Sequence, residues 1–330
     1  MKRNVLVTGG LGYIGSHTVV KLIENGYNPI IIDNLSNSIF SVLDNIKNIT
    51  GVKPVYIRGD IRNKFNLTPI FLDFKITDVI HFAALKSVSD SLNKPLEYYD
   101  NNINGTISLL TEMKRWNVKN MIFSSSCTVY GEPKVYEAIS EATPTQSPKT
   151  PYGMTKFMCE KILKDTTEIN TVALRYFNPI GNHESGLIYE NPNGIPENLI
   201  PYITGVIEGE YDHLRVFGND YDTPDGTAIR DYIDVNDLAE AHVKALDIVD
   251  EEEYNVINVG TGNGYSVMEI IKTFENEGVM VPYKIYPRRQ GDIEKIYANI
   301  DKAKNVMRWE PKRTISDSVK SILKKRHITA

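Results

Sequence analysis

The segment that most restricts how this chain can fold is "VLVTGGLGYIGSH", residues 5–17. An apolar run enters a cluster of glycines, and a helical pattern leaves it. Gly10, Gly12 and Gly15 satisfy G-x-G-x-x-G, and Gly9, Gly12 and Gly15 equally satisfy G-x-x-G-x-x-G. Either spacing serves one physical need. The chain turns tightly, its backbone lies open to close approach, and a helix begins with its unpaired N–H groups facing outward. A strand, such a turn and a helix are the opening of a βαβ unit.

The rest of the first half repeats that unit. Short apolar runs occur at "NVLVT" (4–8), "PIIID" (29–33), "PVYIRG" (54–59), "DVIHFAA" (78–84), "NMIFSSS" (120–126) and "TVALRYF" (171–177). Continuous Val/Ile runs suit strands buried on both faces of a parallel sheet. Longer segments between them, such as residues 95–116, read as crossover helices. No internal repeat or low-complexity segment interrupts the alternation. From 178 to 201 the chain is dense in Gly, Pro and Asn and reads as loops. Strand and helix patterns return at 230–246 and 254–260. The expectation is an α/β fold, a doubly wound parallel sheet (Rossmann) with a smaller, interleaved α/β substrate domain. Residues 1–178 plus about 230–266 would form the first domain, and 179–229 plus about 267–330 the second.

Composition narrows the class. Of 330 residues, 41% are hydrophobic and 24% charged, as in a soluble globular protein. A net charge of −5 argues against a nucleic-acid partner. The basic run at 324–327 reads as a solvated helix end, and "DEEE" at 250–253 as a surface loop. The two cysteines, Cys127 and Cys159, form no Cys-x-x-Cys pair, so neither a metal site nor a disulfide is expected. No run has the length of a membrane span, and the first residues enter a strand pattern at once. A cytoplasmic protein with no membrane partner is the expectation.

The second strand ends in Asp33, 18 residues after Gly15. An acid there can accept a hydrogen bond from an adenine-ribose 2′-hydroxyl and would repel a 2′-phosphate. The cofactor expected is therefore NAD. Asp60 and Ile61 follow the third strand, where an adenine could rest; a lone Asp there is otherwise a helix cap.

The reacting centre is read from two stretches. "FSSSC" ends the fifth run with Ser124, Ser125 and Ser126, where ligands gather in an open α/β sheet. Then "PKTPYGMTKFMCE" sets Tyr152 four residues before Lys156, with Pro151 marking a helix start. A second such pair, Tyr130 and Lys134, contains Pro133 and is not helical. A nearby ammonium favours the phenolate and would lower a tyrosine that ordinarily titrates near 10. The positive nicotinamide of oxidised NAD would push the same way. Tyr152 would then serve as the base for a sugar hydroxyl, with Ser126 hydrogen-bonded to the same hydroxyl.

Almost the whole chain resembles the UDP-galactose 4-epimerases (UDP-glucose 4-epimerases) of the extended short-chain dehydrogenase/reductase superfamily. The resemblance is carried by "VTGGLGYIGSH", "IIDNLSNS", "VIHFAALKSV", "PLEYYDNNINGT", "FSSSCTVYG", "PYGMTK", "LRYFNPIG", "GIPENLIPYI", "FGNDYDTPDGTAIRDYI" and "PRRQGD". It implies an isomerase that inverts C4 of a UDP-hexose through a transient 4-keto sugar and bound NAD. The keto sugar swings about its diphosphate link and is reduced on its other face. It also implies a homodimer. By the same resemblance Tyr13, Ile14, Asp33, Asn34, Asp60, Ile61, Phe82, Ala83, Lys86, Asn101 and Phe177 line the NAD site with the glycines. Ser126, Tyr152 and Lys156 are catalytic, and Lys156 also holds the nicotinamide ribose. Asn178, Asn198, Leu199, Phe217, Arg230, Arg289 and Asp292 hold the UDP-sugar, together with Lys86, Ser126 and Tyr152. Arginines suit a diphosphate because their planar fork donates two parallel hydrogen bonds.

Several positions depart from the family pattern. Cys127 replaces a common alanine, Met154 a polar or basic residue, and Asp234 a frequent histidine. Ile296 stands where bulk excludes an N-acetyl group, and its intermediate size leaves UDP-N-acetylhexosamines open as substrates. Two rivals share the fold. Sibling dehydratases carry an Asp–Glu pair where this chain has Cys127 and Thr128, and decarboxylases a glutamate at the second place. A non-enzymatic NAD-binding regulator would often lack the tyrosine or lysine. On the Tyr152 helix, Met154, Phe157, Met158 and Ile162 form a stripe opposite Tyr152 and Lys156. It reads equally as core packing or as a dimer seam.

Overall fold

The computed structural model describes residues 3–133, 138–145, 148–289 and 292–324. Of the basic run at 324–327 only Lys324 falls within them, and Lys134 lies outside them. The central sheet has seven strands: β1 (Asn4–Thr8), β2 (Asn28–Asp33), β3 (Val55–Arg58), β4 (Asp78–His81), β5 (Asn120–Ser126), β6 (Asn170–Tyr176) and a seventh, Tyr254–Val259. Their spatial order is seventh, β6, β5, β4, β1, β2, β3. Every neighbouring pair runs parallel. The expected doubly wound sheet is therefore present. Connections reverse direction between β1 and β4, which opens a crevice beyond their carboxyl ends.

Period-2 alternation sends successive strand residues to opposite faces. Val5, Val7, Ile31 and Ile80 enter one core with helices Tyr13–Glu24 and Val235–Ala245. Leu6, Ile30, Ile32 and Val79 enter the other, with helices Lys64–Phe74, Gly105–Arg115 and Pro151–Asp165. A third cluster gathers Ile180, Ile203, Leu214, Tyr232, Ile270, Phe274 and Val319. Ala303, Met307 and Trp309, late in the chain, return to the first core.

Three local readings need correction. Residues 95–116 are not one α-helix: α-helical Pro95–Tyr98 and Gly105–Arg115 flank a π-helical stretch, Tyr99–Asn104. Within it the Asn102 carboxamide donates to Leu85 O and Thr155 Oγ1, both at 3.0 Å, and accepts from Leu85 N at 2.8 Å. The widened turn thus fastens the loop after β4 to the Tyr152 helix, a common use of π-bulges near sites. Residues 178–201 are not all loop. Asn178–Ile180 pairs in parallel with Tyr232–Asp234, and helix Leu199–Ile207 starts inside the segment. The methionine stripe is mixed: Phe157 and Ile162 pack on core clusters, whereas Met158 is exposed. Glu251, Glu252 and Glu253 are exposed, as expected. No helix among the described residues is long and apolar enough to cross a membrane.

Candidate active site

A cleft lies in the crevice. Gly9, Gly12, Tyr13, Ile14, Gly15, Asp33, Asn34, Asp60, Ile61, Phe82, Ala83, Lys86, Asn101 and Phe177 line one part of it, and Ser126, Tyr152, Lys156, Asn178 and Asn198 the other. Its floor is the glycine turn. Gly9 has φ +69°, and a Cβ there would lie 2.9 Å from Ala83 N. A Cβ on Gly15 would lie 2.2 Å from Gly9 O. Only glycine lets turn and helix approach this closely. The helix Tyr13–Glu24 begins at Gly12 with no side-chain cap and no acidic residue in its first turn. Its N–H groups face the cleft without competition from a carboxylate, which suits a pyrophosphate.

Asp33 lies 22 residues beyond Leu11, whose N–H it accepts at 3.1 Å on Oδ2. Its Oδ1 accepts from Leu35 N at 2.9 Å and from Ser38 Oγ at 2.8 Å. The carboxylate is therefore fixed at the cleft wall. Asp60 is not the expected helix cap; Asn63 caps that helix. Arg62, bonded to both oxygens of Asp60, holds its carboxyl down to about 2. These residues fit a dinucleotide: an open backbone cradle, an uncapped helix end and an acid on the ribose side.

The helix Pro151–Asp165 starts as its sequence demands. Thr150 caps it by accepting from Gly153 N at 3.3 Å, and Pro151 takes the first position. Tyr152 and Lys156 share its cleft-facing side. On β5, alternation sends Ser124 and Ser126 to the cleft and Ser125 to Glu160 behind it. Ser126 Oγ accepts from Thr128 N at 3.2 Å and Thr128 Oγ1 at 3.0 Å, leaving its own proton free for another acceptor. Lys156 Nζ donates to Ser124 O at 2.7 Å and lies 6.0 Å from the centre of the Tyr152 ring.

The electrostatics correct one expectation. Burial pushes the Tyr152 phenol above its ordinary value, and hydrogen bonding with Ser126 pulls it back only in part. Burial pushes the Lys156 ammonium down to about 8. Desolvation of the phenol prevails, and the ammonium itself is hydrogen-bonded to the Ser124 carbonyl.

The remaining expected sugar-site residues, Leu199, Phe217, Arg230, Arg289, Asp292 and Ile296, are not among the residues that line this cleft. Arg289 stacks on Phe217, 4.7 Å from the ring centre, and donates to Asp292 at 3.0 Å. Arg230 approaches the same carboxylate at 3.9 Å. Arg230 is paired across the sheet with Ile296, which is buried against Val129, Tyr130 and Phe177. Cys127 on the cleft wall packs on the same buried cluster as Ile296, so this group adjoins the end of the serine strand. Leu199 opens its helix and packs on the third core cluster.

The family model described as GDP-mannose 4,6 dehydratase matches residues 6–322. A UDP-glucose 4-epimerase of Yersinia enterocolitica is 49% identical over 326 residues, 97% of this chain and 96% of that one. The chain belongs to the UDP-glucose 4-epimerase family. The epimerase of Bifidobacterium longum, solved in complex with NAD+ and UDP, is 48% identical with a TM-score of 0.95 and 98% coverage of both chains. That of Stenotrophomonas maltophila, solved with bound NAD and formylated UDP-arabinopyranose, is 44% identical with a TM-score of 0.95, covering 99% of this chain and 98% of that one.

As an epimerase-family site the cleft contains residues that sequence reasoning missed. Ser36, Asn37 and Ser38 line it beyond Asp33, and Glu190, Asn191 and Pro192 close its outer side. Thr128 orients Ser126 through its backbone N–H and its hydroxyl. Tyr176 joins its hydroxyl to Ser124 Oγ. Thr128 and Tyr176 sit within quoted motifs, but Glu190 lies in a loop with no pattern of its own. Asp234, where the family often has histidine, caps helix Val235–Ala245 through Asn236 N at 2.8 Å and accepts from Ser318 at 2.7 Å.

Proposed function

We propose that the protein interconverts UDP-galactose and UDP-glucose, inverting C4 through a transient 4-keto sugar with NAD as its bound cofactor. The observation that carries this reading is the meeting of Ser126, Tyr152 and Lys156 in the same cleft as an open glycine cradle. Gly9, Gly12 and Gly15 with the helix end would hold the NAD pyrophosphate, Asp33 a ribose, and Lys86, Asn101 and Phe177 the far side. When bound, NAD supplies a reversible hydride acceptor for the sugar carbon.

Tyr152 takes the proton of the C4 hydroxyl and gives one back after the sugar has turned. Ser126, its lone pairs occupied by Thr128, donates to the same sugar oxygen and keeps it aligned. Lys156 anchors Ser124 and contributes positive charge to a phenol that burial otherwise keeps protonated. Arg230 and Arg289 suit a diphosphate, with Asn178, Asn198, Leu199, Phe217 and Asp292 completing the nucleotide grip. Firm hold on the nucleotide and loose hold on the hexose let the sugar present either face. Neither Cys127 nor Thr128 is an acid able to expel a 6-hydroxyl, which separates this site from the dehydratases.

Functionally the chain divides into an NAD-holding part, 1–178 with about 230–266, and a nucleotide-sugar part, 179–229 with about 267–330, of which Ile188, Ala303, Met307 and Trp309 pack in the core of the first. Ile296 is intermediate between the large and small side chains that exclude or admit an N-acetyl group, so UDP-N-acetylgalactosamine is the next substrate to assay. Leu92, Leu96 and Met158 are exposed on helices that pack together, with Leu96 81% exposed. They support a two-fold, self-complementary homodimer, read by sedimentation of wild type against Leu96→Asp. The unpaired free cysteines suit the cytoplasm. The test is incubation of purified protein with UDP-galactose and no added cofactor. UDP-glucose should appear; no conversion even with NAD supplied would reject the reading.

A further inference from the structure

Residues 188–198 cross the mouth of the cleft as a strap. Ile188 is buried in the first core, and the preceding Leu187 carbonyl accepts from Asn45 at 2.9 Å. At one rim Asn193 donates through Nδ2 to Ser36 O at 2.9 Å and through its backbone N–H to Asn37 Oδ1 at 3.2 Å. At the other rim Glu190 pairs with Lys86 at 2.7 Å, and Glu197 accepts from the Ser87 hydroxyl. The first rim is the loop after β2 and the second the loop after β4. In the sheet these strands flank β1, so the strap spans the glycine turn between them. Glu190 is the better sheltered partner, its side chain 10% exposed against 42% for Lys86. Asn198 approaches the same Glu190 oxygen at 3.5 Å, joining the two ends of the strap.

We propose that Glu190 is a positioning residue: its ion pair with Lys86 latches the strap over the dinucleotide cleft and sets how fast the cofactor leaves. The inference rests on the NAD reading above. A reaction with no net redox change returns the cofactor to its starting state every turnover, so nothing in the chemistry requires its exit. A strap tied to both rims supplies the matching physical retention. Lys86 is also fixed by the pair in the orientation it presents to the cleft, although the two residues are 104 positions apart.

The test measures exchange of bound NAD for isotopically labelled NAD by the purified protein, in wild type and Glu190→Gln, at low and high salt, alongside thermal melting. A partly exposed ion pair contributes up to about fivefold in a rate or equilibrium constant, and salt screens it. Exchange should be several-fold faster in Glu190→Gln, salt should accelerate exchange in wild type but not in the variant, and the melting temperature should barely move. Asn193→Ala, an exposed change at the opposite rim, should also speed exchange, and it decides the matter if Glu190→Gln fails to fold. NAD held with equal, salt-indifferent exchange in wild type and both variants would overturn the latch while leaving the NAD reading intact. Wild type that neither carries nor takes up NAD would overturn both.

Discussion

Three histidines make the protein sensitive to mild acid in a calculable way. His17, His81 and His242 are buried, and burial pushes them down to about 3, about 3 and about 4 respectively. The Nε2 atoms of His17 and His242 have no hydrogen-bond partner among the described residues, so an added proton would meet none there either. The folded protein keeps these rings neutral, whereas the unfolded chain protonates them near 6.5. Between those limits the unfolded state binds more protons, so stability falls as pH falls. At pH 5 each ring costs about 2 kcal/mol relative to high pH, and the three together about 5–6 kcal/mol. That is comparable with the whole stability of many domains. Urea unfolding followed by fluorescence of Trp116 and Trp309 at pH 7 and pH 5 measures the loss. His242→Gln removes one titrating ring while keeping a polar donor of similar length. The variant should lose about 2 kcal/mol less than wild type between pH 7 and pH 5. An unchanged pH slope would refute the assignment of that loss to His242.

Other perturbations separate the parts of the site. Tyr152→Phe should lower turnover of UDP-galactose by about 10²–10⁴-fold, the usual worth of a positioned proton-transfer group, while NAD content stays at the wild-type level. Gly15→Ala sets a methyl 2.2 Å from Gly9 O, so the glycine turn must shift. At about 1–3 kcal/mol of overpacking, NAD affinity by titration should fall roughly fivefold to a hundredfold, with far-ultraviolet circular dichroism preserved. Ile296→Tyr should remove any turnover of UDP-N-acetylgalactosamine that the wild type shows and spare UDP-galactose; surviving N-acetyl activity would show that Ile296 does not gate the hexose.

Local physics made much of the fold legible. The glycine turn, the Val/Ile runs of β1, β2, β4 and β5 and the capped helix after Pro151 each follow from short-range rules, and the parallel sheet follows from their alternation. Residues that meet only through tertiary contact were not readable. Glu190 and Lys86 meet across 104 positions, and no periodicity in either segment marks the pair. The π turn at Tyr99–Asn104 arises from Asn102 reaching Leu85 and Thr155, so helix propensity alone continues the α-helix through it. The Tyr152–Lys156 spacing fixed which face both residues share. It could not tell that Lys156 would turn to the Ser124 carbonyl, which depends on where β5 ends.

The central claim is that one cleft takes hydrogen from C4 of a UDP-hexose and returns it to the opposite face of the same carbon. UDP-galactose carrying deuterium at C4, incubated with purified protein and no added cofactor, tests this directly by nuclear magnetic resonance of the product. The account predicts UDP-glucose with the deuterium still on C4. Deuterium lost to solvent, or no UDP-glucose at all, would contradict it.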